Sequence, residues 1–295
     1  MIPSQIVGGN ISPVVVDWVN RVQNNGGAKP SQNTISAVDH FYRGLDATTI
    51  LGKVKSLCCY VPDNVIACIT PLIKAYGYDP WLNNNNQFVS SDLTVNGLMG
   101  NGAGYSNQSV VKYLNTGVLG TNYSSNTAGL TVYAYTAGLQ LGGDGGTYDA
   151  GYTNSAGSQA VAMSFLWHNS YQLAFFAYGE SGNAAATYSY SPPPYYYGYL
   201  SGNLASGTNE TLYFANSSYP HALVGSSTYT GAAAAYPIYV HAVNHTDASP
   251  PQITFGASTS RISFVAIHDG LTSNESSQFF NLIQTFRKRI GGGWV

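Results

Sequence analysis

Apolar positions first recur at helical spacing. Val15, Trp18, Val19 and Val22 follow Ser12-Pro13, a capping residue and the proline that a first helical turn accepts, and Asn25-Gly26-Gly27 ends the run. A second amphipathic run starts after Pro30-Ser31 and places Ile35, Val38, Phe41 and Leu45 on one face. Asp46 is a candidate cap for a third, carrying Ile50, Leu51 and Val54. Residues 1–80 are therefore expected to form a helical N-terminal module. After Asn83-Asn84-Asn85-Asn86 the pattern changes to short runs rich in Val, Thr, Tyr and Phe, separated by Gly, Asn and Ser. Strands are predicted over 110–118, 130–136, 160–167, 172–178, 211–215, 238–243 and 262–267. Many short strands without intervening helices predict a mainly β fold, an antiparallel sandwich or jelly roll over 81–270. The last segment, 271–295, returns to helix. Thr272-Ser273-Asn274-Glu275 has the spacing of a capping box, and Phe279, Leu282, Ile283, Phe286 and Ile290 follow along one face. Arg287, Lys288 and Arg289 sit where positive charge suits the helix dipole, and Gly291-Gly292-Gly293 precedes Trp294-Val295.

Composition changes this picture through charge. Of 295 residues only 8% are charged and 13% are aromatic, against roughly 25% charged in an ordinary soluble domain. Lys112 and Arg261 are consecutive basic residues, so the stretch between them holds neither Lys nor Arg. Such a surface cannot bind a phosphate backbone by counterion release, which excludes nucleic acid as its partner. No run approaches the ~18 apolar residues of a membrane span, and Met1-Ile2-Pro3-Ser4-Gln5 lacks a secretory-signal pattern. The expectation is a chain without a signal peptide, made in the cytoplasm. Cys58, Cys59 and Cys68 lie close together, are odd in number and have no zinc spacing, so buried reduced thiols are expected.

Two stretches carry a resemblance: Asp17-Trp18-Val19-Asn20-Arg21-Val22 with Asn25-Gly26-Gly27-Ala28, and Phe264-Val265-Ala266-Ile267-His268-Asp269-Gly270-Leu271-Thr272. Together they resemble a family of tailed-bacteriophage structural proteins. Asn101-Gly102, Tyr113-Leu114-Asn115-Thr116-Gly117 and Pro237-Ile238-Tyr239-Val240 fit strands of the same family, so the likeness spans most of 13–290. It implies a short helical lead, a concanavalin-A-like or laminin-G-like sandwich, an Asp-Gly turn and a closing amphipathic helix. His268 departs from the small residue that often precedes that turn.

Catalytic patterns are sparse. Glu180, Glu210 and Glu275 are the only glutamates, and the closely spaced carboxylates of a sandwich glycosidase are absent. Glu275 is expected to cap a helix, Glu180 and Glu210 to be solvated loop acids. His241, His245 and Asp247 suggest a metal only if the chain bends, because i, i+4 residues on a strand lie about 13 Å apart. Asp144 and Asp149 flank a Gly-rich loop that reads either as a calcium site or as a plain hairpin loop. The segment from Tyr188 to Tyr199, with Ser191-Pro192-Pro193-Pro194 inside it, offers Tyr195, Tyr196, Tyr197 and Tyr199 for stacking on a ligand, or simply as strand and rim aromatics.

These readings lead us to expect a non-enzymatic virion structural protein exposed on a phage particle, as capsid decoration, head fibre or tail-associated component. The alternative is a glycan-binding receptor-recognition adhesin, and behind it a glycan-active enzyme. Expected partners are other virion proteins, further copies of the chain, a trimer being the guess, and a neutral host-surface glycan. Trp18, Val22, Phe41 and Trp294 are the expected assembly residues, and removal of residues 1–80 is expected to leave a soluble sandwich.

Overall fold

The computed structural model describes residues 11–83, 87–101, 111–136, 148–154, 159–167, 172–177, 186–189, 197–228, 233–245, 252–255 and 258–292. Helices α1 (Pro13–Asn24) and α2 (Gln32–Asp46) start where their caps predict. The Ser12 and Ser31 hydroxyls accept hydrogen bonds from the Val15 and Thr34 amides. The third expected helix does not form. A single 3-10 turn at Leu51–Lys53 leads into a strand, because Val54–Cys58 is buried along its whole length and pairs on both sides. A short α3 (Val65–Ile69) follows, capped by Asn64. Among the described residues no helix is long and apolar enough to cross a membrane.

The strands, numbered in chain order, form two sheets of nine among the described residues. The first runs β14 (Tyr219–Thr228), β13 (Asn209–Asn216), β12 (Gly198–Leu204), β7 (Ala128–Thr136), β18 (Arg261–His268), β1 (Val54–Cys58), β2 (Ile73–Lys74). In the same sheet β4 (Leu93–Thr94) pairs with β5 (Gly97–Met99), which pairs with β18. The second runs β11 (Ala186–Ser189), β10 (Gln172–Ala177), β9 (Ala160–Trp167), β8 (Ala150–Thr153), β15 (Pro237–Val240), β6 (Leu114–Leu119), β3 (Leu82–Asn83). To it are added β16 (Val243–His245) and β17 (Gln252–Phe255). Pairing is antiparallel except between β16 and β8. This is the expected mainly β sandwich.

Strand alternation divides the first sheet between two cores. Leu130, Val132, Leu200, Leu212, Val265 and Ile267 point inward, against Val161, Met163, Phe165 and Phe175 of the second sheet. Tyr133, Tyr199, Tyr213, Phe264 and Ala266 point outward, against α1, α2 and α4 (Ser273–Arg289). Gly202 marks the closest approach of the sheets: a Cβ there would lie 1.9 Å from Cγ of Phe175. On the helical side Phe41 meets Phe264 edge-on at 5.5 Å and Phe286 at 5.6 Å. Each such buried aromatic ring contributes roughly 2–3 kcal/mol of transfer free energy.

This second core alters two expectations. The described part of residues 1–80, from 11 onward, does not stand apart from the sandwich, since β1 lies inside the sheet between β18 and β2 and the helices cover that sheet's outer face. Trp18, Val22 and Phe41 are buried in this core, at 1%, 0% and 1% exposure. Their partners belong to their own chain, and they offer no surface for assembly; Trp294 lies outside the described residues. Cys58, Cys59 and Cys68 are free and buried, and burial pushes their thiols up.

The final helix has the expected capping box, with the Thr272 hydroxyl accepting from the Glu275 amide and the Glu275 carboxylate from the Thr272 amide. Arg287, Lys288 and Arg289 occupy the last turn as expected, and Arg287 is turned into the protein. It is fully buried and donates to the carbonyls of Val95 (2.8 Å) and Ser263 (3.5 Å), and burial lowers its pKa to about 10.

Candidate functional site

The residues that carry the family resemblance form joints between the helices and the sandwich. Arg21 of α1 pairs with Asp17 (2.7 Å) and Asp79 (3.0 Å) and donates to the carbonyls of Pro71 and Leu72. At the other end of the chain Asp269 accepts from Lys55 Nζ (2.9 Å), the Ser124 hydroxyl (2.6 Å) and the Ser124 amide (2.8 Å). Burial would raise the Asp269 pKa, but the Ser124 and Lys55 hydrogen bonds outweigh it and hold the group below the usual carboxylate range. Gly270 is required by crowding, because a Cβ there would lie 2.0 Å from the Leu204 carbonyl oxygen. Glu275 accepts from Lys53 (2.7 Å), Thr49 (2.8 Å) and Thr272. Burial works against its charge, yet the Lys53, Thr272 and Thr49 donors bring it down to about 2.

His268 belongs to the same joint. It is fully buried, and burial lowers its pKa to about 4, so the ring is neutral at pH 7. Nδ1 lies 2.8 Å from the Asp269 carbonyl, which only accepts, so Nδ1 carries the proton. Nε2 then accepts from the Thr131 hydroxyl at 2.9 Å, and Thr131 accepts in turn from Ser201 at 2.8 Å. Asn203 donates to Ser201 (3.1 Å) and accepts from the Leu271 amide (2.9 Å), which returns the chain of bonds to the Asp-Gly turn. A small residue at 268 could not make this closure.

The expected ligand residues are placed otherwise. Tyr195, Tyr196, Asp144, Asp247, Glu180 and Trp294 lie outside the described residues. Tyr197 is half-buried against the helical core. Tyr199 is fully buried and its hydroxyl donates to the Ser276 carbonyl at 3.2 Å; burial pushes its pKa up to about 12. It points into the helical core because an odd-numbered β12 residue faces α4, so it cannot stack on a ligand. Asp149 is 1% exposed, and its two oxygens accept from the Phe165 amide and the Ser258 hydroxyl, each at 2.7 Å. Both of its oxygens tie segments together within the fold. Among the described residues no group of three His, Cys, Asp or Glu is placed to hold a metal. His241 does bend the chain, at φ 66° between β15 and β16, but its ring is buried against Phe88 (5.0 Å) and Tyr60 (6.4 Å), and burial lowers its pKa to about 3.

Glu210 is a correction to the expected solvated acid. It is fully buried at the start of β13, and one oxygen accepts from the Ala177 amide at 3.0 Å. Burial pushes its pKa up to about 8, with the Ala177 and Ala186 amides only partly offsetting it.

One hollow of about 550 Å³ lies between α1 and the β1–β2 edge, lined by the paired Asp17, Arg21 and Asp79, and an uncharged one lies on the β13–β14 hairpin. Asn216 Oδ1 accepts from the Ser218 and Tyr219 amides (2.8 and 2.9 Å), fixing the tight turn. Residues 216–221 and Phe280 of α4 line a cleft of about 620 Å³. His221 forms one wall, stacked on Tyr213 (5.3 Å, 5°) and Phe280 (5.3 Å, 29°), with Nε2 3.1 Å from the Ser276 hydroxyl. Burial lowers its pKa, which favours the neutral ring. Ser276 has no exposed surface and cannot reach a molecule in the cleft. Around the edge strand a smaller hollow of about 320 Å³ lies between Tyr188 and residues of β13 and β14, sharing Tyr219 and Pro220 with the cleft. Tyr219 and Leu223 are 40% and 54% exposed, and no charged side chain lines the cleft or this smaller hollow. Sequence reading missed this site because β14 carries no strict alternation; Asn216-Ser217-Ser218 between two aromatic runs was the available hairpin signal.

No protein-family model matches the chain, and no curated protein matches it. Among solved structures it is similar to a chain described as NanB plus Optactamide, at 11% identity and a TM-score of 0.38, over 61% of this chain and 26% of that one. It is also similar to the Ruminococcus gnavus IT-sialidase CBM40 bound to alpha2,3 sialyllactose, at 10% identity and a TM-score of 0.35, over 52% of this chain and 80% of that one. The same CBM40 in a further structure gives 11% identity and a TM-score of 0.31, over 52% and 81%. The chain thus spans about a quarter of the first of these neighbours. All three are distant, and the sandwich described above rests on its own strand pairing.

Proposed function

We propose that the chain is a non-enzymatic structural protein carried on the surface of a phage particle, as capsid decoration, head fibre or tail-associated component. The observation that carries this reading is the use to which the family-like residues are put. Arg21 ties α1 to the chain around Asp79, and Asp269 and Gly270 fix the turn that leads into α4 against β1 and β12, so the resemblance at both chain ends is a resemblance of architecture. The buried acids support it further: Asp149, Glu210, Asp269 and Glu275 each serve strand, turn or cap, leaving none of them free for acid–base chemistry on a substrate. Immunogold labelling of intact particles with an antibody to the folded chain tests the assignment. Gold at a fixed location on the particle is expected; unlabelled particles, with the antigen confined to the soluble lysate, contradict it.

Attachment through a glycan is a second reading. The uncharged aromatic cleft on the β13–β14 hairpin favours it, because flat rings with small hydroxyl and amide neighbours suit a polyhydroxylated ligand.

A further inference from the structure

The Tyr-rich loop was the expected ligand surface, but its described members Tyr197 and Tyr199 lie against or within the helical core. Among the described residues the exposed rings are Tyr76 and Tyr78, just after β2, and Tyr219 on the β13–β14 hairpin, and of these Tyr219 borders an uncharged cleft. It stands beside Pro220, with His221 and Phe280 behind, so the cleft offers apolar faces on which the C–H face of a pyranose could lie. Ser217 and Ser218 supply hydroxyls at the hairpin tip. Asn216 lines the cleft with its oxygen committed to the turn, which fixes the position of the two serines and Tyr219.

Charge decides the ligand class. No Lys or Arg occurs between 112 and 261, and the cleft lining carries no charge, so an acidic sugar would find no guanidinium or ammonium partner. From this arrangement we infer that the cleft formed by Asn216, Ser217, Ser218, Tyr219, His221 and Phe280 binds a neutral saccharide. This inference rests on the second reading above and gives it a site and a ligand class. Single-site affinity is modest, and attachment gains strength when several copies on one particle engage together.

The test uses the full chain and a panel of neutral oligosaccharides built from hexose and N-acetylhexosamine, beside their sialylated counterparts. Binding is read by saturation-transfer difference NMR and then by titration calorimetry. A neutral member of the panel should bind, and Tyr219→Ala, at an exposed position, should weaken it at least about tenfold. Ser218→Ala removes a hydroxyl at the hairpin tip and should weaken binding to a smaller extent. Preference for the sialylated members, binding unchanged in Tyr219→Ala, or no binding to any neutral member at millimolar concentration overturns the inference. Preference for the sialylated members, or neutral binding that survives Tyr219→Ala, overturns this site and ligand class while glycan attachment stands, whereas no binding to either half of the panel overturns both.

Discussion

Lys55 Nζ lies 2.9 Å from Asp269 Oδ2, a contact between residues 214 positions apart that joins the first strand of the sandwich to the turn before its last helix. Both side chains are 10% exposed. Asp269→Asn removes the charge that balances a nearly buried ammonium, and breaking such a pair costs about 3 kcal/mol. Urea unfolding should show that loss at neutral pH, and a midpoint unchanged from wild type would contradict it. The neighbouring pair of Lys53 with Glu275 gives an acid signature. Glu275 titrates near 2 in the folded chain, below its ordinary 4.5, so its contribution is complete above about pH 4.5 and disappears as the pH falls toward 2.

Glu210 has the opposite sign. Its folded pKa of about 8 lies above the ordinary 4.5, so the folded chain holds a proton that the unfolded chain has released. Stability attributable to this group therefore falls as the pH rises from about 4.5 to about 8. Glu210→Gln keeps an acceptor for the Ala177 amide and removes the titration. Relative to the variant, wild-type protein should lose several degrees of melting temperature between pH 5 and pH 8.5. Parallel melting curves for the two proteins across that range would refute the buried, protonated carboxyl.

Gly270→Ala introduces a Cβ 2.0 Å from the Leu204 carbonyl oxygen, where backbone and not a movable side chain must give way. A destabilisation of about 2 kcal/mol or more follows from overpacking. Chemical denaturation of the variant checks it, and a loss below about 0.5 kcal/mol would mean that the turn is free to shift.

How far the sequence reached depends on the range of the interactions involved. Caps are local, and Ser12, Ser31 and the Thr272–Glu275 box were legible from spacing alone. Strands with aromatic or β-branched runs, such as Ala160–Trp167, were equally plain. Val54–Cys58 was not, because its polar Lys55 and Ser56 are made acceptable only by Asp269 and Trp81, which are far away in sequence. Glu210 and Asp149 misled for the same reason: charge predicts exposure, and their burial depends on backbone amides and hydroxyls brought by other segments; the burial of Arg287 was likewise not visible, because its acceptors are distant carbonyls. The β13–β14 cleft is a surface formed by a hairpin and a helix some 60 residues on, which no local pattern encodes.

Removal of the leading helices tests the two-core description. Because α1 and α2 cover Phe264, Ala266 and Phe279, a chain beginning at residue 51 should expose that face and aggregate. The earlier expectation of a soluble sandwich after deletion of 1–80 is replaced by this one, since that cut also removes β1 from the sheet. Size-exclusion chromatography of the truncated chain decides it, and a soluble monomer with an unchanged circular-dichroism spectrum would contradict the account.

The proposed place of the chain on a phage particle is decided by quantitative mass spectrometry of gradient-purified particles. Digestion should include a protease that cuts at aromatic residues, because trypsin finds no site between Lys112 and Arg261. The chain should be present at a fixed copy number relative to the major capsid protein and be retained after a high-salt wash. Its absence from washed particles, together with abundance in the soluble fraction of infected cells, would contradict the claim.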